Sequence, residues 1–427
     1  MIETVYPGRV DGTVQIPGSK SHTIRALLIA SLASGRSELH HPLHSRDSEA
    51  AVEACRAFGA RVEVEQELIT VEGVGGKLSL PAEPINVMNS GTTLYLATTL
   101  AALGEGPICF DGDASIRRRS ASPLLDALVA LGADVEERGE PGCAPYCVRG
   151  PIRGGRARIS CRTSQYLSSL LIGLPLAEGE STVEVPLLFE KPYVEMTLNW
   201  LDRQGIRYDR EGYERFFIPG GQSYSPFSLP IPGDFSSATF FFVLAAVSGA
   251  TLRIRGLDLE DPQGDKEVLS ILETMGCEVL RGREEIVVSG PRPRRLRGPG
   301  LAGGTFDLNS MPDALPALCV AATGAREPVR LVNVAQAREK ETDRIAVMAR
   351  ELTRLGAEVT ELDDGIEVAP CRLSGGEVDA QEDHRVAMSL AVAGVVADSP
   401  VRIVGAECAA VTFPGFFDLL RSLQREA

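Results

Sequence analysis

Four short segments of the chain concentrate cations among small polar residues. Ser19-Lys20-Ser21 is followed by Arg25. Arg117, Arg118 and Arg119 are consecutive. Lys340-Glu341-Thr342-Asp343-Arg344 mixes both signs, and Asp383-His384-Arg385 sets an imidazole between opposite charges. In a chain with a formal net charge of −15, clustered Lys and Arg build a local anion site against an acidic background. The chemistry these residue types suit is charge-assisted hydrogen bonding to phosphate or carboxylate. Lys340 and Arg344 alone, at i and i+4, would read as a solvated helix face. Four basic segments beside repeat or helix starts, where unpaired N–H groups and the helix dipole attract anions, favour a phosphate or carboxylate site. His384 either caps its helix or serves the site, and its two charged neighbours favour the site. His40, His41 and His44 share one loop without partners at ligand spacing and read as surface residues. Gly73-Val-Gly-Gly-Lys77 lacks the spacing of a phosphate-binding loop.

Composition limits what such a site can serve. The 427 residues are 44% apolar and 24% charged, ordinary for a soluble protein of two or more domains. The acidic balance argues against a nucleic-acid partner. No apolar run reaches the roughly 18 residues of a membrane helix, and the first residues lack the pattern of a signal peptide. A cytoplasmic protein without membrane partners is expected. The nine cysteines are odd in number and scattered through apolar runs, so buried free thiols are expected. Cys143 and Cys147 are closest in sequence, but no second pair stands at zinc spacing. Neither a metal nor a cofactor is expected.

The elements that must position these residues are read from a sixfold repeat. Related starts occur at Pro17-Gly-Ser-Lys20, Asn89-Ser-Gly-Thr92, Thr163-Ser-Gln165, Pro232-Gly-Asp-Phe235, Asn309-Ser-Met-Pro-Asp313 and Glu382-Asp-His-Arg385. Each start supplies N-cap residues, followed by an apolar, Ala-rich run too hydrophobic all round for a surface helix. The spacing predicts six buried helices whose N-termini point to a common place. Each is followed by a strand, an amphipathic helix ending near Leu-Gly-Ala, and a further strand. The units read as βαβαββ, in an α/β fold with mixed sheets. The sixth is short of strands at the C-terminus, and Val5 to Val14 is expected to supply them. That closure implies two similar three-unit domains, residues 15–230 and residues 1–14 with 231–427, hinged near 14 and 231, with a ligand in the cleft between them.

Pro17-Gly-Ser-Lys20-Ser21, Asn89-x-Gly-Thr92, Thr163-Ser-Gln165, Lys191-Pro-Tyr193, Pro312-Asp313, Lys340-Glu-Thr-Asp-Arg344, Asp383-His-Arg385 and Thr412-Phe-Pro414 together resemble the signatures of 5-enolpyruvylshikimate-3-phosphate synthases. The resemblance spans essentially the whole chain, and the family's fold has two domains, each of three units in pseudo-threefold arrangement. It implies attack of the 5-hydroxyl of shikimate 3-phosphate on C2 of phosphoenolpyruvate, protonation at C3, and loss of phosphate from a tetrahedral intermediate. Such a reaction needs a base, an acid and cations for phosphate and carboxylate groups.

Carried over by motif, Asp313, Glu341, Lys20 and His384 are the catalytic candidates. Lys20, Ser21, Arg25, Thr163, Ser164, Gln165, Tyr193, Asp313, Gln336 and Lys340 would meet shikimate 3-phosphate. Lys20, Gly91, Thr92, Arg119, Gln165, Arg344 and Arg385 would meet phosphoenolpyruvate. Gln336 stands where the family has Asn.

The chain departs from the family pattern at Tyr95 and Val411, where Arg and Lys are usual, at Glu190, where Ser is usual, and at Ser120, where Pro is usual. A lost charge-assisted contact weakens binding by roughly 1.5–3 kcal/mol. A carboxylate about 4 Å from a phosphate is repelled by up to ~4 kcal/mol at an effective dielectric of 20. The conservative expectation is that Glu190 turns away or pairs with a cation, and that Arg117, Arg118 or Arg162 replaces the missing charges. The alternatives are a paralogue for a related cyclic polyol phosphate and a non-catalytic anion-binding switch. A monomer is expected.

Overall fold

The computed structural model describes residues 1–291 and 300–424. The chain divides into two compact units, Gly18–Pro232 and Met1–Pro17 with Gly233–Ala427. Each has its own hydrophobic core. The class is α/β with mixed sheets.

In the unit Gly18–Pro232 the three apolar runs form the helices Lys20–Leu32, Gly91–Ala101 and Ser164–Gly173, buried on nearly every face. Small residues let two of them approach closely. The Thr99 and Ser169 hydroxyls lie 2.6 Å apart, and a Cβ on Gly173 would stand 2.4 Å from the Thr99 methyl. The other unit repeats the design with helices Phe235–Ser248, Leu315–Thr323 and His384–Val396.

Among the described residues, five four-stranded sheets share one topology, and a sixth has three strands. Gly155–Cys161 runs parallel to Ser181–Leu188 across the buried helix, and the hairpin Asp209–Glu211 and Arg215–Ile218 then adds antiparallel strands. The outer helices stop where the sequence indicates. Arg46–Ala57, Ser122–Ala130 and Arg344–Arg354 are each followed, two residues on, by a glycine at positive φ (Gly59, Gly132, Gly356), a conformation that a Cβ would strain.

The closing strands differ from expectation. Ile2–Val5, and not the whole stretch to Val14, completes the sixth sheet by pairing antiparallel with Val401–Val404. Gly12–Gln15 joins the fourth sheet, parallel to Thr251–Arg255. Ser228–Pro230 in turn supplies the first sheet, parallel to Arg36–His40. The strand before each crossing therefore stays in the unit the chain is leaving. Backbone pairing decides this: a parallel partner is available there, and the proline at position 230 is tolerated on an edge strand.

The cysteines also depart from expectation. Cys109 and Cys147 are register partners on antiparallel strands and form a disulfide, whereas Cys143 is a buried free thiol. Sequence proximity did not identify the pair because register, set by the Pro107–Asp111 and Tyr146–Arg149 strands, brings 109 opposite 147. The other cysteines are free, and all of them but the half-buried Cys371 are buried. Desolvation raises the Cys55 and Cys161 thiols to about 12. No helix among the described residues is long and apolar enough to cross a membrane.

Candidate active site

In the unit Gly18–Pro232 the candidate residues gather at the starts of the three buried helices. Lys20 is the first residue of its helix, and its Nζ lies 3.1 Å from Asp47 Oδ2, with both side chains largely covered. Asp47 lies in the first turn of Arg46–Ala57, where a Ser45–Ser48 capping box fixes the backbone. Ser21 is half-buried beside it, and its carbonyl accepts a hydrogen bond from Arg25 Nη1 at 3.0 Å.

Arg25 itself is 1% exposed. It also donates to Thr197 Oγ1 (2.9 Å), Ser168 Oγ (3.4 Å) and the Tyr193 carbonyl (3.2 Å). These acceptors are all neutral. Burial lowers its guanidinium from 12.5 to about 10, the direction expected for a desolvated cation.

The second and third helix starts are tied together. Gln165 Nε2 donates to Thr92 Oγ1 at 2.9 Å. Arg119 Nη2 donates to Asn89 Oδ1 and Ser115 Oγ, both at 3.1 Å. Gly91 leaves room for the guanidinium, since a Cβ there would lie 2.7 Å from Arg119 Nη1 and push it aside. Tyr95 does not replace a cation. Its hydroxyl and that of Tyr166 both donate to the Ser120 carbonyl, at 3.1 and 2.5 Å, and the rings meet edge to face at 5.1 Å. The two tyrosines thus hold the loop that carries Arg119.

Of the cations expected to compensate, Arg117 is exposed and engaged with Asp111 at 2.6 Å. Arg118 and Arg162 are exposed. Val411 is buried in the core of the other unit. Glu190 is buried, and its Oε2 accepts hydrogen bonds from the Ser164 N–H (3.1 Å), the Ser164 hydroxyl (3.0 Å) and the Thr163 hydroxyl (3.3 Å).

In the other unit an arginine lies among carboxylates. Arg344, 1% exposed, donates to Asp383 Oδ2 (2.7 Å), Asp313 Oδ1 (2.6 Å) and Glu341 Oε2 (2.5 Å). Burial pulls its guanidinium down, but Asp383, Glu341 and Asp313 outweigh burial and hold it above its ordinary value. Arg385 Nη2 reaches the second oxygen of Asp313 at 3.0 Å. Asp313 rides on a short turn, Pro312–Ala314. Asp383 caps the helix His384–Val396 through its Oδ1 while its Oδ2 holds Arg344. Gln336 is buried and donates to the Asn309 carbonyl at 3.2 Å.

The expected helix face of Lys340 and Arg344 is corrected. The helix begins at Arg344 with Asp343 as its N-cap, and Lys340, half-buried, lies in irregular backbone before it. The Asp343 side chain accepts from the Ala346 N–H, which stops the helix from extending back to 340. His384 is buried at 1% exposure as the first residue of its helix.

Asp47 and Tyr166 were not singled out in the sequence as site residues. Asp383 was visible in the sequence as part of a charged segment at a repeat start, though not as the partner of Arg344. Asp47 and Tyr166 carry no such signal.

A sequence model of the family described as EPSP synthase (3-phosphoshikimate 1-carboxyvinyltransferase) matches residues 5–420. A 3-phosphoshikimate 1-carboxyvinyltransferase of Acetivibrio thermocellus is 49% identical over 420 residues, covering 98% of this chain and 97% of its own. One of Methanocella arvoryzae is 39% identical, covering 98% and 97%. The solved EPSP synthase from Acinetobacter baumannii superposes with a TM-score of 0.82 at 28% identity, covering 99% of this chain and 98% of that one. With the match running from the first sheet to the last helix, the chain belongs to the EPSP synthase family.

Proposed function

We propose that this protein transfers the enolpyruvyl group of phosphoenolpyruvate to the 5-hydroxyl of shikimate 3-phosphate, releasing phosphate. The observation that carries this reading is the cluster of Asp313, Glu341, Arg344 and Arg385, joined by contacts of 2.5–3.0 Å, in a chain that matches the family end to end.

The reaction divides into tasks that these side chains suit. Arg119, Arg344 and Arg385, with Lys20 and Gln165, bind the phosphate and carboxylate of phosphoenolpyruvate by charge-assisted hydrogen bonds. Ser21, Arg25, Thr163, Ser164, Tyr193, Gln336 and Lys340 hold shikimate 3-phosphate. Asp313 takes the proton of the 5-hydroxyl as its oxygen bonds to C2, while Glu341 delivers a proton to C3. Phosphate then leaves C2 as a proton is lost again from C3, which Lys20 and Glu341 assist. In the ligand-free chain both oxygens of Asp313 are engaged, one by Arg344 and the other by Arg385. The anionic groups of phosphoenolpyruvate compete for those two arginines, so its binding frees Asp313 for the hydroxyl. His384, the fourth catalytic candidate, is buried as the first residue of its helix, between Asp383 and Arg385.

The same reading includes action as a monomer in the cytoplasm, with hinges near 14 and 231. Support for the hinges is that Ser19 N–H donates to the Pro232 carbonyl and Asp234 N–H to that of Pro17, which pins the crossing strands side by side. Light scattering would test the monomer. A fall in radius of gyration on adding substrate, read by small-angle scattering, would test the hinges.

The activity is tested by mixing shikimate 3-phosphate and phosphoenolpyruvate with the protein, following phosphate release and the vinyl protons of the product by NMR. Turnover lost in Asp313→Ala but present in the parent is expected. A fully active Asp313→Ala would remove that residue from the mechanism, and no turnover by the parent would refute the function.

A further inference from the structure

Glu190 stands at the N-cap of the helix Lys191–Arg203, yet its side chain does not cap that helix. It reaches instead to the start of Ser164–Gly173, where one carboxylate oxygen takes the Ser164 N–H, the Ser164 hydroxyl and the Thr163 hydroxyl. The residue is 2% exposed and holds φ 58° and ψ 41°, a left-handed conformation unfavourable for a side chain with Cβ. A buried carboxylate persists only with strong compensation. The compensation includes three donors at a helix N-terminus, an arrangement that suits an anion of any origin.

Thr163 and Ser164 are also two of the groups that, on the function proposed above, hold shikimate 3-phosphate, and two hydroxyls with an N–H at a helix N-terminus are donors suited to its phosphate. One set of three donors cannot serve a phosphate and a carboxylate together. We propose that Glu190 is an internal occupant of this phosphate seat: it keeps Thr163 and Ser164 in binding geometry while the site is empty, and the phosphorylated substrate binds by displacing it. The inference rests on that functional reading. It makes position 190 a determinant of affinity for the phosphate, separate from the enolpyruvyl half of the site. A serine there would leave the donors vacant and add one more, whereas a glutamine would keep an acceptor but remove its charge.

The test uses calorimetric titration of the full chain, as parent, Glu190→Ser and Glu190→Gln, with shikimate 3-phosphate, shikimate and inorganic phosphate. Displacing charge-assisted bonds weakens the parent's binding by about 10- to 100-fold. Glu190→Ser is therefore expected to bind shikimate 3-phosphate tighter by that factor, with inorganic phosphate tighter as well and shikimate unchanged. Glu190→Gln should move the same way by less, and it carries the test if the serine variant does not fold. The ligand-free variants should melt lower than the parent, and the KM for phosphoenolpyruvate should stay within twofold. Equal or weaker binding of shikimate 3-phosphate by both variants, with the parent active, overturns the inference and leaves the function standing. If no form binds shikimate 3-phosphate but inorganic phosphate binds Glu190→Ser tighter than the parent, the occupied anion seat stands and the substrate reading fails.

Discussion

Asp383→Asn tests the energetic centre of the arginine cluster. Asp383 is fully buried. Its Oδ1 accepts the Arg385 and Val386 N–H groups, and its Oδ2 accepts Arg344 Nε at 2.7 Å. Both oxygens face donors, so an amide must turn its NH2 toward one of them and lose that bond. Removing one partner of a buried ion pair costs about 3–5 kcal/mol when nothing else compensates. Arg344 keeps Asp313 and Glu341, which places the loss nearer ~2–3 kcal/mol, the range for a charge-assisted hydrogen bond. For a unit of about 200 residues this lowers its melting transition by about 4–12 °C. Calorimetry should show the shift in one unit's transition and none in the other's. Freed from Asp383, the guanidinium is less well positioned, and KM for phosphoenolpyruvate should rise about tenfold or more, with KM for shikimate 3-phosphate little changed. A melting shift below about 1 °C with unchanged KM would refute the claim that Asp383 both caps its helix and anchors Arg344.

Three further perturbations follow from the other contacts. Lys20→Met should abolish turnover and also destabilise, because Asp47 is left covered without its cation. Adding Asp47→Asn should restore the melting temperature without restoring phosphate release, and recovery of activity would exclude Lys20 from the chemistry. Tyr95→Phe or Tyr166→Phe alone should cost about 0.5–1.5 kcal/mol of stability at most, while the double variant should raise KM for phosphoenolpyruvate by more than the product of the single effects. A strictly multiplicative result would show that the tyrosines do not jointly hold the Arg119 loop.

Arg25 carries a cost of burial. Its lowered value of about 10 against 12.5 means that the unfolded chain binds its proton more tightly, so the penalty is fully present below pH 10 and fades between pH 10 and 12.5. Arg25→Leu should therefore melt no lower than the parent at pH 8 while binding of shikimate 3-phosphate collapses. A melting temperature well below the parent's would show that its four hydrogen bonds outweigh the penalty.

The repeat was legible because each unit must cap a buried helix, and capping residues and apolar runs leave a periodic trace. Ser90, Thr163, Asp234 and Asp383 do accept N-terminal N–H groups through their side chains. The first repeat, whose N-cap is Ser19, and the fifth, whose helix begins at Leu315 behind Ala314, start without a side-chain cap. Which sheet takes the strand before each crossing was not legible, since Gly12–Gln15 and Ser228–Pro230 look like strands in either unit.

By itself, the sequence determined the identity of the six units, the place of their buried helices, and the family to which the motifs belong. These rest on local chemistry: capping, periodicity and ordered runs of charged residues. Only the tertiary structure decided which charges meet. Asp47 faces Lys20, Cys147 faces Cys109, two tyrosines converge on the Ser120 carbonyl, and Glu190 settles on Ser164. Each of these is a contact between segments far apart in sequence, set by strand register and helix packing. Residue type alone cannot reveal it, because the same carboxylate is equally at home in water or on a helix N-terminus 26 residues away.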